Sequence, residues 1–394
     1  MLTSFYCFAS DIADAGTTVL LDDLQNRAGV DGVTLAAAYH AARDVFPHAR
    51  GRRIRFLRGG EVHFRPDPAL WGRAALTPAG GEEETLGELV TAATARGMHV
   101  DAWTVFLHVD RERDLPAGLA EETCFGDPLP TQLCPANPDV RRYAVTLGRE
   151  VARRGVRAVI AESLHHHTLE HGYHHERYLV ALPPLARAVL GLCFCGHCCD
   201  DPELRATAAE IVQRAFAADD PAGPEPDRAR LDTLLGGHLA RREARLASLV
   251  AEVAAACREE GAELVFLDAS GAAKGYATGQ PAGGPAPEIA WRMGVDVGAV
   301  ARAAGGIGAI AYAADPARVA LDLDAYRAAA GPDVALEVVM RPSRPDCTDA
   351  ANLAAKLAAC RRRGVRAAGF YHYGLAPMSA IDRVGAALAT AGSG

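Results

Sequence analysis

The feature that most constrains this chain is an eightfold alternation. Short β-rich apolar runs occupy 5–9, 32–38, 99–107, 156–163, 263–270, 308–314, 334–340 and 366–373. Between most of them lies a segment whose apolar residues recur at i, i+3 and i+4 and which closes on a glycine, as in VRRYAVTLGREVARRG and LAAKLAACRRRG. Strands alternating with amphipathic helices build a parallel sheet covered by helices, and eight such units predict an α/β fold of the closed (β/α)8 (TIM) barrel type. An open doubly wound sheet would place a glycine-rich phosphate loop after the first strand, where this sequence reads SDIADAG.

A plain barrel takes roughly 250 residues, and this chain has 394. The surplus predicts one elaborated domain over 1–394 with two long insertions, at 39–98 after the second strand and at 164–262 after the fourth. Both follow strand C-termini, the face on which barrels build their sites. The first insertion contains RIRFLRGGEVHFRP, whose alternation around Gly59 and Gly60 predicts a β-hairpin there. The second holds a histidine-rich loop, a cysteine cluster and a long helical stretch around 231–260, preceded by the break PAGPEPD.

Composition narrows the partners. With 41 Lys and Arg against 49 Asp and Glu the formal charge is −8, and no dense basic tract is present, so nucleic acid is not expected as a partner. No run approaches 18 uninterrupted apolar residues and the N-terminus lacks a basic start followed by an apolar run, so neither a membrane span nor a signal peptide is expected. A cytoplasmic protein follows, with self-association left open, and its ten cysteines read as thiols or metal ligands, not as a disulfide framework.

Cys193, Cys195 and Cys198 place three thiols in six residues, a spacing that wraps a tetrahedral zinc when a fourth ligand arrives. Cys134, Cys124, Cys199 and His197 are the candidates for that fourth position. Four protein ligands leave no open coordination site, so the zinc would be structural.

These residues resemble a known family. CFCGHC, preceded far upstream by CPANPDVRRY and with a strand-four glutamate between them, is similar to the zinc cluster of the family 42 glycoside hydrolases, (β/α)8 enzymes of clan A. The resemblance implies Cys134, Cys193, Cys195 and Cys198 as ligands, and Glu162 in VIAESLHHH as the acid/base glutamate. Ala161 stands where the family carries an asparagine that binds the sugar 2-hydroxyl. A strand-seven nucleophile would correspond to Glu337, which lies mid-strand.

The residues read without the family point the same way. Asp11, Glu162, Asp268 and Glu337 lie at or near strand ends, and glycoside cleavage needs two carboxyl groups in opposite protonation states. Glu162 is the first choice for acid/base. Asp268, which ends an apolar strand before a glycine-rich loop, is favoured as its partner, with Glu337 competing. Tyr39, Trp103, Tyr312, Tyr371 and Tyr373 suit stacking on a sugar, while His40, Arg43, His108, Arg341 and His372 are candidates for binding hydroxyls or a carboxylate, as is Asp11. The segment 165–176 holds six of the fourteen histidines. One or two, with His165 and His167 foremost, are expected to line the pocket and tune Glu162. The predicted function is glycoside hydrolase-like, on a small sugar conjugate. The alternatives are a metal-dependent lyase or isomerase of sugars or cyclitols that uses the histidine loop, and a carbohydrate-binding barrel without catalysis.

Overall fold

The computed structural model describes every residue except 73, 82, 111–114, 171–176 and 393–394. Eight strands form the centre: β1 (Leu2–Cys7), β2 (Gly32–Tyr39), β3 (His99–Val105), β4 (Ala158–Glu162), β5 (Glu263–Asp268), β6 (Gly306–Ile310), β7 (Ala335–Met340) and β8 (Ala367–Phe370). Each pairs in parallel with the next, and β1 pairs with both β2 and β8, which closes the barrel. All eight apolar runs therefore carry a barrel strand. In the sixth run, Ala311, Tyr312 and Ala313 continue the burial beyond the last paired residue, so apolar pattern outlasts the strand.

Side-chain alternation divides the strands into two apolar layers. Tyr6, Ala36, Trp103, Ile160, Leu267, Ile310 and Val339 pack together inside the barrel. Phe5, Leu35, Ala102, Val159, Phe266, Ile307 and Val338 face the helices outside. This parity decides the fate of each strand carboxylate. Glu162 lies two residues beyond Ile160 and faces inward, whereas Asp268 lies two beyond Phe266 and faces the helices. Glu337, two residues before Val339, is inward but pairs in register with Ala367 at the very start of β8, at the opposite end from Glu162.

The excursions differ from expectation in detail. The antiparallel hairpin after β2 joins Ala42–Val45 to Ile54–Leu57, not the segments flanking Gly59 and Gly60. Glu61–Val62 instead turns back onto the edge of β2, paired antiparallel with Ala38 and Tyr39. The helical stretch near 231–260 is two helices, Arg228–Leu234 and His238–Glu259, separated at Gly236 and Gly237, whose φ values of 55° and 77° only glycine takes readily. With Pro184–Leu190 and Pro202–Ala218 they enclose a separate apolar core built on Val189, Phe194, Val212, Leu231 and Leu239. No described helix is long and apolar enough to cross a membrane.

Candidate active site and cysteine cluster

Glu162 ends β4 with its side chain facing inward, at the C-terminal end of the apolar barrel filling. Its carboxylate accepts a hydrogen bond from the indole Nε1 of Trp103 on the neighbouring strand. Burial pushes the Glu162 carboxyl above its ordinary range, opposed by that indole N–H and by the charged form of His108. Trp103 is itself fixed by rings on every side: Tyr39 at 4.5 Å, Tyr6 at 5.3 Å, Tyr371 at 5.6 Å and Phe8 at 5.8 Å between centroids. Tyr39 and Tyr371 hydrogen bond to each other, and burial drives both phenols up, with the Glu162 charge adding to each shift. Tyr312 stands 6.1 Å from Tyr371 and senses the same carboxylate. Of the five aromatic residues singled out from sequence, Tyr39, Trp103, Tyr312 and Tyr371 thus surround Glu162, whereas Tyr373 packs against His48 and donates its hydroxyl to Asp23 at 2.8 Å.

The polar candidates divide. His40 stacks on Tyr39 at 4.1 Å and on His108 at 4.8 Å, and the row continues to His167, 5.6 Å from His108, and His165, 5.2 Å from His167. His40, His108, His165 and His167 therefore gather beside the glutamate. The histidines at 171, 174 and 175 lie outside the described residues. His372 is fully buried against Phe8 at 4.1 Å, and its Nδ1 accepts a hydrogen bond from the Gly374 amide at 3.1 Å. Burial lowers its pKa to about 3, so the ring is neutral. Asp11 lies 3.9 Å from it, accepts the Phe8 amide at 2.8 Å, and is pushed up to about 7, chiefly by burial. Arg341 stacks over Tyr312 at 4.2 Å while its guanidinium is held by Asp346 at 2.5 and 2.8 Å.

Three candidates are not placed at Glu162. Asp268 is buried on the outer face, bonded to Ser270 at 3.1 Å and to the Tyr326 hydroxyl on helix Pro316–Ala330. Glu337 accepts Arg366 at 2.7 Å and Arg157 at 3.4 Å, and Arg157 also holds Asp101 at 2.6 and 2.8 Å. It belongs to an ion-pair group at the N-terminal end of the barrel. Arg43 is exposed on the outer side of the hairpin. Its neighbour Asp44, which sequence reasoning missed, is half-buried, is raised by burial, and acts on both Tyr39 and Tyr371. The signal was the hairpin's alternation, which sends Ala42 and Asp44 to the face opposite Arg43.

The second excursion carries the cysteines. Asn137 caps helix Pro138–Ala152 through the amides of Asp139 and Val140, which anchors the preceding Cys134 against the barrel. Cys134, Cys193, Cys195 and Cys198 are all buried and free, and their sulfurs converge: Cys134 lies 3.4 Å from Cys195, 3.4 Å from Cys198 and 3.9 Å from Cys193. A tetrahedron with metal–sulfur bonds of ~2.3 Å has edges of about 3.8 Å, so this set fits one metal ion. Cys199 instead donates to the Asp201 carbonyl at 3.3 Å, and Cys124 packs in the excursion core.

A second observation fits a charged metal site. The fully buried Arg242 has no hydrogen-bond partner for any guanidinium nitrogen among the described residues, and it interacts electrostatically with Glu121, His166 and His238 around Cys195. A buried cation needs compensating negative charge. Four thiolates about a divalent ion carry a net charge of −2 and supply it. Glu121, 2.6 Å from His166, is raised to about 8 by burial and only partly offset by Arg242.

No family model and no curated protein matches this sequence. Among solved structures the chain is similar to the β-galactosidase of the psychrophilic Marinomonas ef1, with a TM-score of 0.55 and 11% identity over 99% of this chain and 59% of that one. It is similar to the β-galactosidase of Rahnella sp. R3, with a TM-score of 0.53 and 14% identity over 100% of this chain and 55% of that one. It also matches the catalytic domain of the Paenibacillus polymyxa β-amylase, with a TM-score of 0.53 and 10% identity over 97% of both chains. At these identities the likeness is one of fold. The chain spans between half and three fifths of the two β-galactosidases' length.

Proposed function

We propose that this protein is a glycoside hydrolase-like enzyme that cleaves a bond of a small sugar conjugate at the C-terminal mouth of the barrel. The observation that carries the reading is Glu162: a half-buried glutamate at the end of β4, raised in pKa, held by an indole N–H and ringed by Trp103, Tyr39, Tyr312 and Tyr371. A raised carboxyl is what protonating a glycosidic oxygen near neutral pH requires, and rings supply the stacking faces that a sugar takes. Glu162 would act as general acid/base. Its partner is drawn from the carboxylates near the mouth, with Asp44 the first choice because Tyr39 and Tyr371 both sense it and Glu162. His40, His108, His165, His167, Arg341 and His372 would position hydroxyls, and Asp11 would act through His372.

The family 42 resemblance and the fold of the neighbouring β-galactosidases support this reading. The four cysteines would hold a structural zinc, which stabilises the excursion and takes no part in bond cleavage. Buried free thiols suit a reducing, cytoplasmic setting.

The test is a panel of O-, N- and C-linked glycosides assayed across pH. Turnover is expected on at least one, with the alkaline limb of kcat/KM lying above the ordinary glutamate range because that limb reports the free enzyme's acid. Saturable sugar binding with no turnover on any member would make the chain a carbohydrate-binding barrel instead.

A further inference from the structure

We propose that His40, His108 and Asp110 form a divalent transition-metal site at the rim of the barrel mouth, separate from the cysteine cluster, where an ion would take the lone pairs of His40 and His108 in place of sugar hydroxyls. The three residues come from the ends of two adjacent strands, His40 just past β2 and the other two just past β3. One ring nitrogen of each histidine and a carboxylate oxygen of Asp110 all lie within 4.8 Å of one another. The His108 Nε2 to Asp110 Oδ1 distance of 2.8 Å is close to the ~3 Å that separates two neighbouring ligands on one ion with bonds of about 2.1 Å.

The outer partners are those of a metal site. His40 Nδ1 lies 2.9 Å from the Ala41 carbonyl, which can only accept, so the proton sits on Nδ1 and the lone pair on Nε2. A ligating histidine is held in this way, by donating its other nitrogen to a carbonyl or carboxylate. The second oxygen of Asp110 accepts the Ala41 amide at 2.7 Å, which fixes the carboxylate against the same turn. His165 repeats the pattern: its Nδ1 lies 2.6 Å from the His166 carbonyl, and its Nε2 is buried with no hydrogen-bond partner among the described residues. Two imidazoles and one carboxylate are the ligands of a borderline cation such as Zn2+ or Fe2+, not of Mg2+ or Ca2+, which take oxygen. His40 and His108 are separated by 67 intervening positions in the sequence and are joined by the barrel.

The experiment is a Co2+ titration of the full chain after both sites are stripped with a strong chelator under reducing conditions, read by visible absorption. Cobalt on thiolates gives sulfur-to-metal charge transfer, and cobalt on nitrogen and oxygen gives ligand-field bands without it. Two equivalents are expected, one of each type. Cys195→Ser should abolish the thiolate type alone. His40→Ala, at a half-buried position, should weaken the nitrogen type by about 100-fold or more while the thiolate signal, which reports an intact fold, is kept. His108→Ala should do the same, and His40→Ala decides if the buried His108 variant fails to fold. Saturation of the wild type with thiolate-type signal only, or a second equivalent unchanged in His40→Ala, would overturn the proposal. Because the readout is metal binding, neither result depends on whether any glycoside is turned over.

Discussion

The two ends of the barrel treat an inward-facing glutamate in opposite ways. At the N-terminal end Glu337 meets two guanidinium groups, and Asp101 shares one of them, so each charge has a counter-charge within hydrogen-bond reach. At the C-terminal mouth Glu162 meets an indole N–H and a wall of rings, and burial raises its pKa. A carboxylate gripped by two guanidinium groups is held fixed by them. One left among rings keeps its proton to a higher pH than an ordinary glutamate does. The difference teaches that strand position and inward parity do not make a site, because Glu337 has both.

The comparison can be broken or sharpened in several ways. If the mouth depends on a staple that the other end does not need, Cys195→Ser should have the largest effect. A structural zinc site contributes on the order of 10 kcal/mol in apparent binding energy, so the variant should lose its metal by elemental analysis and unfold at a markedly lower temperature. A stable, metal-free wild type would end that part of the account. Next comes Asp11, whose pKa near 7 means that its favourable contribution is complete below about pH 4 and is lost as pH rises through 7. Asp11→Asn should therefore match the wild type in acid and exceed it by up to about 4 kcal/mol at pH 8, read from urea midpoints at the two pH values.

Glu337→Gln probes the other end directly. It leaves Arg157 and Arg366 under-compensated and should cost about 3 kcal/mol, the low end of the range for breaking a buried pair, because Arg366 keeps 35% of its side chain in solvent. Asp268→Asn weakens a charge-assisted bond from Tyr326 to a neutral one and should cost about 1 kcal/mol by chemical denaturation. Both should leave the mouth intact.

The barrel was legible because eight apolar runs and their helices are local patterns, and the cysteine cluster because three of its members lie within six residues. Glu162 followed from the same logic, as the end of a strand. Asp268 and Glu337 misled because sequence shows that a carboxylate lies on a strand but not its face or level, which depend on register with neighbours far along the chain. Asp44 was hidden in a hairpin whose partner segment was misplaced. Arg242 and Asp110 were invisible for a related reason: each gains meaning only from residues that the fold brings beside it.

The most direct measurement compares turnover by Glu162→Gln and Glu337→Gln on the same glycoside. Loss of a general acid lowers kcat by about 10²–10⁴-fold, so the account predicts that drop for Glu162→Gln with the fold and metal content unchanged, and a rate close to wild type for Glu337→Gln at a temperature where it remains folded. Wild-type turnover by Glu162→Gln, or an equal loss in both variants, would contradict it.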